Sequence, residues 1–331
     1  MTKMMQAAVV HAAGGPDVLA IEMRPVPQPA AGWVRIKVKA FGLNRSELFT
    51  RQGHSQSVEF PRILGIEAVG TIDSAPGNEF TIGESVATVM GGMGRAYDGS
   101  YAEYVCVPSS QVRSIITDLP WKLLGALPEM LQTAWGSLFS SLKLKANDRL
   151  LVRGGTTSVG MAAIALARLA GAHVIATTRN KDRARLLWDC GAHRVIIDDG
   201  HIHLGAHRFD KILELVGTTT LQDSLLCAER GGAVCMAGIV GNEWTLKDFS
   251  PMDAIPNRVS LVTYSGEVQD FMDMPIQELV DDVASGALAI KIGKTFRFDQ
   301  IAEAHDCMER NAADGKIVIT IGESEEPRSD E

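Results

Sequence analysis

The sequence predicts an α/β protein in two parts: a mostly antiparallel β domain, then a doubly wound parallel sheet. Three observations predict it. Residues 149–197 read as strand, glycine turn, helix, strand. From Leu124 onward, helical and strand patterns alternate. Before that point, short β segments are punctuated by Gly and Pro. A chain of 331 residues is long enough for two domains, each with its own core.

In the first part the candidate strands are Met5–Val10, Leu19–Met23, Val34–Ala40, Ala68–Asp73, Ser85–Val89 and Tyr101–Val107. Pro25, Pro27 and Pro29 separate the second from the third. Leu43–Gln52 reads as a short helix. In the second part, Pro128–Leu142 reads as one helix with proline in its first turn. Further strands follow at Arg194–Asp198, Lys211–Val216, Gly232–Ala237 and Val259–Thr263, which with the two below makes six. Met274–Ser285 and Gln300–Ala312 have helical spacing, and Asp314-Gly315 turns the chain into a last strand, Lys316–Ile321.

The stretch around Arg149 carries the chemistry. Leu150–Arg153 is an apolar run fit for a buried strand, and His173–Thr177 is a second. Between them, Gly154-Gly155-Thr156-Thr157-Ser158-Val159-Gly160 opens a helix of small and apolar residues. Such a turn presents backbone N–H groups at a helix N-terminus, where a pyrophosphate binds without a charged side chain. Gly155 and Gly160 take the outer positions of G-x-G-x-x-G, but Thr157 stands at the middle one, where its hydroxyl and N–H are expected to donate instead. The tip of the second strand selects the cofactor. NAD sites carry an acid there. Here the chain reads Thr177-Thr178-Arg179-Asn180-Lys181-Asp182-Arg183, with two hydroxyls and then three basic residues. Arginine grips phosphate with a planar fork, so the pattern predicts NADP(H), with Thr178, Arg179 and Arg183 around the 2′-phosphate.

The net charge of −8 and the lack of a basic tract exclude a nucleic-acid partner. No run is long enough for a membrane span, and MTKMMQAAVVHAAGG lacks a signal-peptide core, so a cytoplasmic protein is expected. The five cysteines are scattered without a C-x-x-C pair, which suits a reducing compartment and gives no zinc site. The acidic tail GESEEPRSDE is expected to fray.

Several motifs, in order and over nearly the whole length, carry a resemblance. They are AAVVHAAGGPDVL, VRIKVKAFGLNRSELFTRQG, FPRILGIEAVGTI, DGSYAEYVCVP, ALPEMLQTAWGSLF, the glycine turn and AHDCMERNAADGKIVI. The chain resembles the medium-chain dehydrogenase/reductase superfamily, within it the zinc-free quinone oxidoreductase branch. The resemblance implies a GroES-like β-barrel catalytic domain from residues 1–125 and 260–331, a Rossmann domain over 126–259, and an active site in the cleft between them. Zinc alcohol dehydrogenases of this superfamily carry a cysteine at the position of Asn44 and a His-Glu pair at Ile66-Glu67. An amide and an aliphatic side chain are not zinc ligands, and the four-cysteine lobe is absent. No metal is expected, and Glu67 is expected to be structural.

Without zinc, the expected chemistry is hydride transfer from NADPH to a quinone or to the β-carbon of an α,β-unsaturated carbonyl. The resemblance puts Asn44 beside the nicotinamide, where its amide donates to a carbonyl or holds the cofactor; it also reads as the cap of the following helix. His54 reads either as a proton donor or as a solvated loop residue. Related quinone reductases have a tyrosine where this chain has Ser55. Thr133, Val216, Gly238 and Ile239 are the remaining candidate cofactor contacts, the last three at carboxyl ends of strands. Tyr97 and Tyr264 read as packing residues. Three functions stay open: a quinone or enone reductase, an enoyl-thioester or alkenal reductase, and a cofactor-binding protein without turnover. The apolar Val259–Thr263 suggests an edge strand covered in a homodimer.

Overall fold

The computed structural model describes residues 2–205 and 207–322; most of the acidic tail lies outside them. The chain divides into two compact units. One holds the residues up to Glu129 and from Ile292 onward, the other Met130–Lys291.

The first unit opens with β1 (Met4–Val10), β2 (Leu19–Pro25), β3 (Trp33–Gly42), α1 (Arg45–Arg51), β4 (Arg62–Ile63), β5 (Glu67–Ser74), β6 (Ser85–Val89), β7 (Tyr104–Pro108), β8 (Val112–Ser114) and α2 (Trp121–Leu124). The chain then runs through α3 (Pro128–Trp135), β9 (Arg149–Arg153), α4 (Ser158–Leu169), β10 (His173–Thr178), α5 (Ala184–Asp189), β11 (Arg194–Ile197), β12 (Phe209–Glu214), α6 (Thr218–Cys227), β13 (Ala228–Met236), α7 (Pro251–Ala254), β14 (Ser260–Thr263), α8 (Val268–Asp273) and α9 (Ile276–Ser285). It returns to the first unit with β15 (Ile292–Arg297), α10 (Ile301–Glu309) and β16 (Lys316–Thr320).

The first unit is a GroES-like β domain. Its larger sheet runs β15-β16-β3-β5-β6-β8, with β7 also on β3, and a smaller sheet runs β2-β1-β4. The pairs are antiparallel except β15 with β16. Strand β3 shows why. Val34, Ile36 and Val38 alternate inward and are buried, while Lys37 between them is exposed, the period of a sheet with one face on a core.

The second unit is a parallel sheet in the order β11-β10-β9-β12-β13-β14. Its central strand has no alternation: Leu150, Leu151 and Val152 are all buried, because helices cover both faces. The strand order reverses between β9 and β12, and the carboxyl ends flanking that switch point form the crevice where such sheets hold ligands.

Several boundaries differ from the sequence reading. The second unit ends at Lys291 rather than at 259, because Ser260–Thr263 pairs with Ala233–Met236 as the sixth strand. The expected helix over 128–142 is α3 followed by a π-helical turn, Gly136–Ser141. Such wide turns often mark functional sites. The helix expected over Met274–Ser285 begins after Pro275, as α9, and the separate helix α8 precedes it. Strand β15 escapes the sequence reading, since its pattern is mostly half-buried and exposed rather than alternating.

Candidate functional site

The glycine turn is built for close approach. Gly154 has φ +82°, a conformation side chains rarely adopt, and a Cβ on Gly160 would lie 2.6 Å from the Gly154 carbonyl oxygen. These two glycines let the turn fold back onto the start of α4. Thr157 caps the helix, and here the structure corrects the expected role. Its hydroxyl donates to the Gly154 carbonyl at 3.0 Å and accepts from the Gly160 N–H at 2.9 Å, while its own N–H donates to Gly154. The side chain shapes the turn and has no hydrogen left for a phosphate. The N–H groups of Ser158 and Val159, in the first turn of α4, have no acceptor among the described residues. Two such donors on a twelve-residue helix fit a pyrophosphate.

Gly155 packs on the end of β10: its N–H donates to the Thr177 carbonyl at 3.1 Å, and the Thr177 hydroxyl accepts from Gly154. Thr178 is buried, and its hydroxyl accepts from the Asn180 N–H and donates to the Asn180 carbonyl, tightening the bend after the strand. Asn180 caps the 3₁₀ turn Lys181–Arg183. Arg179 is exposed and Arg183 half-buried, so both basic residues follow a strand tip without a carboxylate.

At the next strand ends the N–H groups of Val216 and Gly217 both donate to the Glu214 carboxylate, at 2.7 and 3.0 Å. Ser224 also donates to it. Burial pushes the Glu214 carboxyl upward against these three donors. Gly217 has φ +106°, and the loop carrying Gly238 and Ile239 packs directly on it. Glycine at 238 is required by contact: a Cβ there would lie 2.5 Å from the Leu215 carbonyl oxygen. Thr133 is half-buried on α3, one turn before the π-helical segment. Tyr264 packs its ring against Gly136, as expected of a packing residue.

In the first unit, Asn44 is the N-cap of α1 and only 7% exposed. Its side-chain oxygen accepts from the Lys316 ammonium at 2.6 Å, and its nitrogen donates to Glu67 at 2.9 Å. The amide's second hydrogen has only a 3.5 Å contact with the Gly42 carbonyl, too long for a good bond. Glu67 also pairs with Lys316 at 2.9 Å and accepts the Glu129 N–H at 2.9 Å. Burial alone would push the Lys316 ammonium down, but Glu67 and Glu129 outweigh it and the net shift is upward.

One amide and one carboxylate already holding an ammonium do not fit a zinc ion, and Ile66 offers no donor atom. His54 lies beyond the other end of α1 from Asn44, exposed, with its ring edge-on to Phe49. The structure therefore does not bring the two expected catalytic residues together. Tyr97 donates to Gln111 and packs on Trp33.

Sequence reasoning misses Lys316, which reads only as a strand start, and also Glu47. The buried Glu47 carboxylate accepts the N–H groups of Asn44 and Ile66 and the Tyr101 hydroxyl. Burial raises it to about 7 against those bonds. Tyr101 links it to His305, which burial and then Arg51 lower to about 3.

The fold and these two sites define a class, and comparison with known proteins agrees. Residues 30–117 match the alcohol dehydrogenase GroES-like domain and 190–319 match the zinc-binding dehydrogenase family. The chain is 28% identical to a quinone oxidoreductase of Pongo abelii, over 96% of this chain and 98% of the relative. It is also 28% identical to a 2-haloacrylate reductase of a Burkholderia species, over 96% and 99%. A mycobacterial protein solved in complex with NADPH superposes with TM-score 0.84 at 26% identity, over 96% and 99%. The chain belongs to the medium-chain dehydrogenase/reductase superfamily, in its quinone-oxidoreductase-like branch, and is an oxidoreductase of that family. No helix among the described residues is long and apolar enough to cross a membrane.

Proposed function

We propose that this protein is an NADPH-dependent reductase of quinones or α,β-unsaturated carbonyls that works without zinc. The observation that carries the cofactor choice is the end of β10: Thr177 and Thr178 with no acid, followed by Arg179 and Arg183. NADPH, when bound, supplies a hydride to an acceptor that is already electrophilic. The chain's own residues do the rest. Ser158 and Val159 hold the pyrophosphate through N–H groups, the glycines at 154, 155 and 160 admit it, and Arg179 and Arg183 hold the 2′-phosphate. Glu214 fixes the backbone of Val216 and Gly217, against which Gly238 and Ile239 pack. Thr133 contributes from α3. The free hydrogen of the Asn44 amide donates to the acceptor oxygen as negative charge develops there. Zinc is replaced at this position by Lys316, which holds Asn44 and Glu67 as a fixed cation.

Activated alkenes belong beside quinones as acceptors, a reading supported by similarity to the 2-haloacrylate reductase. Among the described residues the edge strand β14 pairs only with β13, and it is proposed to meet its counterpart in a cytoplasmic homodimer.

The test is the ratio of kcat/KM for NADPH and NADH with a quinone acceptor. Arg179→Ala or Arg183→Ala should each lower the NADPH value about ten- to a hundredfold, since one charge-assisted bond is worth roughly 1.5–3 kcal/mol; the double variant should lower it further, and NADH should be nearly unchanged. An unchanged ratio would remove the phosphate from these two residues.

A further inference from the structure

The loop after β11 reads Asp198-Asp199-Gly200-His201-Ile202-His203. The sequence predicts no metal in this chain, because Asn44 and Ile66 are not zinc ligands and the cysteines form no C-x-x-C pair. The fold supplies the missing partner from α6. Ile202–Leu204 forms a 3₁₀ turn, and the N–H groups of Ile202 and His203 both donate to the Asp223 carboxylate, at 3.1 and 3.2 Å. Asp223 is 8% exposed. Its Oδ2 is held by the Arg153 guanidinium at 2.5 Å, and its Oδ1 meets the Nδ1 of His203. His201 is exposed, with its ring edge-on to that of His203. One donor atom from each of His201, His203 and Asp223 lies within 4.8 Å of the other two.

We propose that His201, His203 and Asp223 bind a divalent transition-metal ion of the zinc type, with a fourth position open to solvent. Two imidazoles and one carboxylate are the donor set such ions take, whereas calcium and magnesium prefer oxygen alone. Bonds of about 2.0–2.1 Å place tetrahedral ligand atoms roughly 3.3 Å apart, so the exposed His201 rotates inward while the direct contact between His203 Nδ1 and Asp223 opens to admit the ion. The support behind the ligands is already present. Ligating carboxylates are normally held by hydrogen bonds of their own, and Arg153 and the Ile202 N–H hold Asp223 on the side away from His203. The bound ion takes the place of the proton between His203 Nδ1 and Asp223, and that proton leaves to solvent. None of the three ligands belongs to the proposed hydride-transfer site, so zinc binding is measured apart from turnover.

Isothermal titration of the full chain, stripped with a chelator and dialysed into a buffer that does not bind metals, tests it with zinc chloride as the probe. The expected result is one zinc bound per chain, with a rise in melting temperature that follows zinc concentration. His201→Ala and His203→Gln should each weaken binding about tenfold or more, and His11→Ala should leave it unchanged. The side chain of His201 is exposed, so its variant keeps the fold and remains a decisive test even where the His203 variant unfolds. Absence of saturable binding by the wild type, or equal binding by His201→Ala, would overturn the proposal.

Discussion

Each unit of this protein buries a cation beside its candidate site, and the two are held in different ways. In the β domain Lys316 is 1% exposed and touches Asn44, Glu67 and Glu129, a point charge among three acceptors. In the parallel-sheet unit Arg153 is 0% exposed and forks onto Asp198 through Nε and Nη2, both at 2.8 Å, with Nη1 reaching Asp223, Ser224 and the Thr220 carbonyl. An ammonium tolerates loose geometry because its three donors rotate, whereas a guanidinium demands a planar match and returns directional order. The two choices suit their neighbourhoods. Lys316 gathers groups from three separated segments, at 44, 67 and 129. Arg153 lies one residue before the glycine turn and braces the strand ends that frame it.

The largest expected effect comes from removing either cation. Arg153→Met leaves Asp198 and Asp223 without their partner, and Lys316→Met leaves Glu67. Breaking a buried pair from one side costs about 3–5 kcal/mol, measured by urea denaturation. The comparison sharpens with conservative exchange: Arg153→Lys should lose most of that amount, because the fork to Asp198 cannot be rebuilt. Adding Glu67→Gln to Lys316→Met should restore part of the loss, since the orphaned charge is then gone. Full stability in Lys316→Met would show that Glu67 does not depend on this ammonium.

Chelation gives the next contrast. Quinone reduction with NADPH should survive prolonged treatment with a strong chelator, because Lys316 and not a metal holds Asn44 and Glu67. Loss of turnover, restored by zinc, would overturn the zinc-free reading.

The smallest expected effects concern pH. His305 is held neutral in the folded protein, down to about 3, so the unfolded chain takes up a proton first as pH falls below the usual histidine range. Its contribution lowers stability from about pH 6.5 downward, and His305→Leu should flatten the acid limb in melting curves below about pH 4.5, where Glu47 no longer opposes it. Glu47 has the opposite sign. Its folded value of about 7 lies above the unfolded one, so its contribution falls as pH rises through roughly 4.5 to 7. Tyr101 joins the two groups, and their slopes oppose each other where the windows overlap. A flat profile in the wild type that steepens in His305→Leu would support this pairing. An unchanged profile in His305→Leu would show that His305 does not titrate as described.

The parts legible in the sequence are those written in neighbouring residues. The strand, turn and helix around Gly154 follow from local apolar runs and from glycines whose conformations and contacts require glycine. The missing acid after β10 is equally local. What the sequence hides is long-range. Lys316 meets Asn44 across 272 positions, and nothing in Gly315-Lys316-Ile317 distinguishes it from an ordinary strand start. Asp223 completes a cluster with His203 only because α6 packs beside a 3₁₀ turn. The π-helical turn at Gly136–Ser141 continues a helical pattern without altering its composition. Thr157 is legible as a member of the turn, but the turn itself consumes the hydroxyl that the motif suggests is free for a phosphate.

The position of Lys316 also bears on how the protein is made. Strand β16 carries it, pairs with β3, and receives β15 on its other edge. All of Met130–Lys291 must therefore leave the ribosome before the N-terminal β domain obtains its last two strands and the counter-charge of Glu67. During that interval β3 has an open edge at Ala40–Gly42, a surface on which nascent chains can pair wrongly. Nascent chains stalled before residue 316 should consequently remain protease-sensitive within residues 1–129 and become resistant once the stall site passes the last strand. Early protection would show that the domain closes without its C-terminal strands.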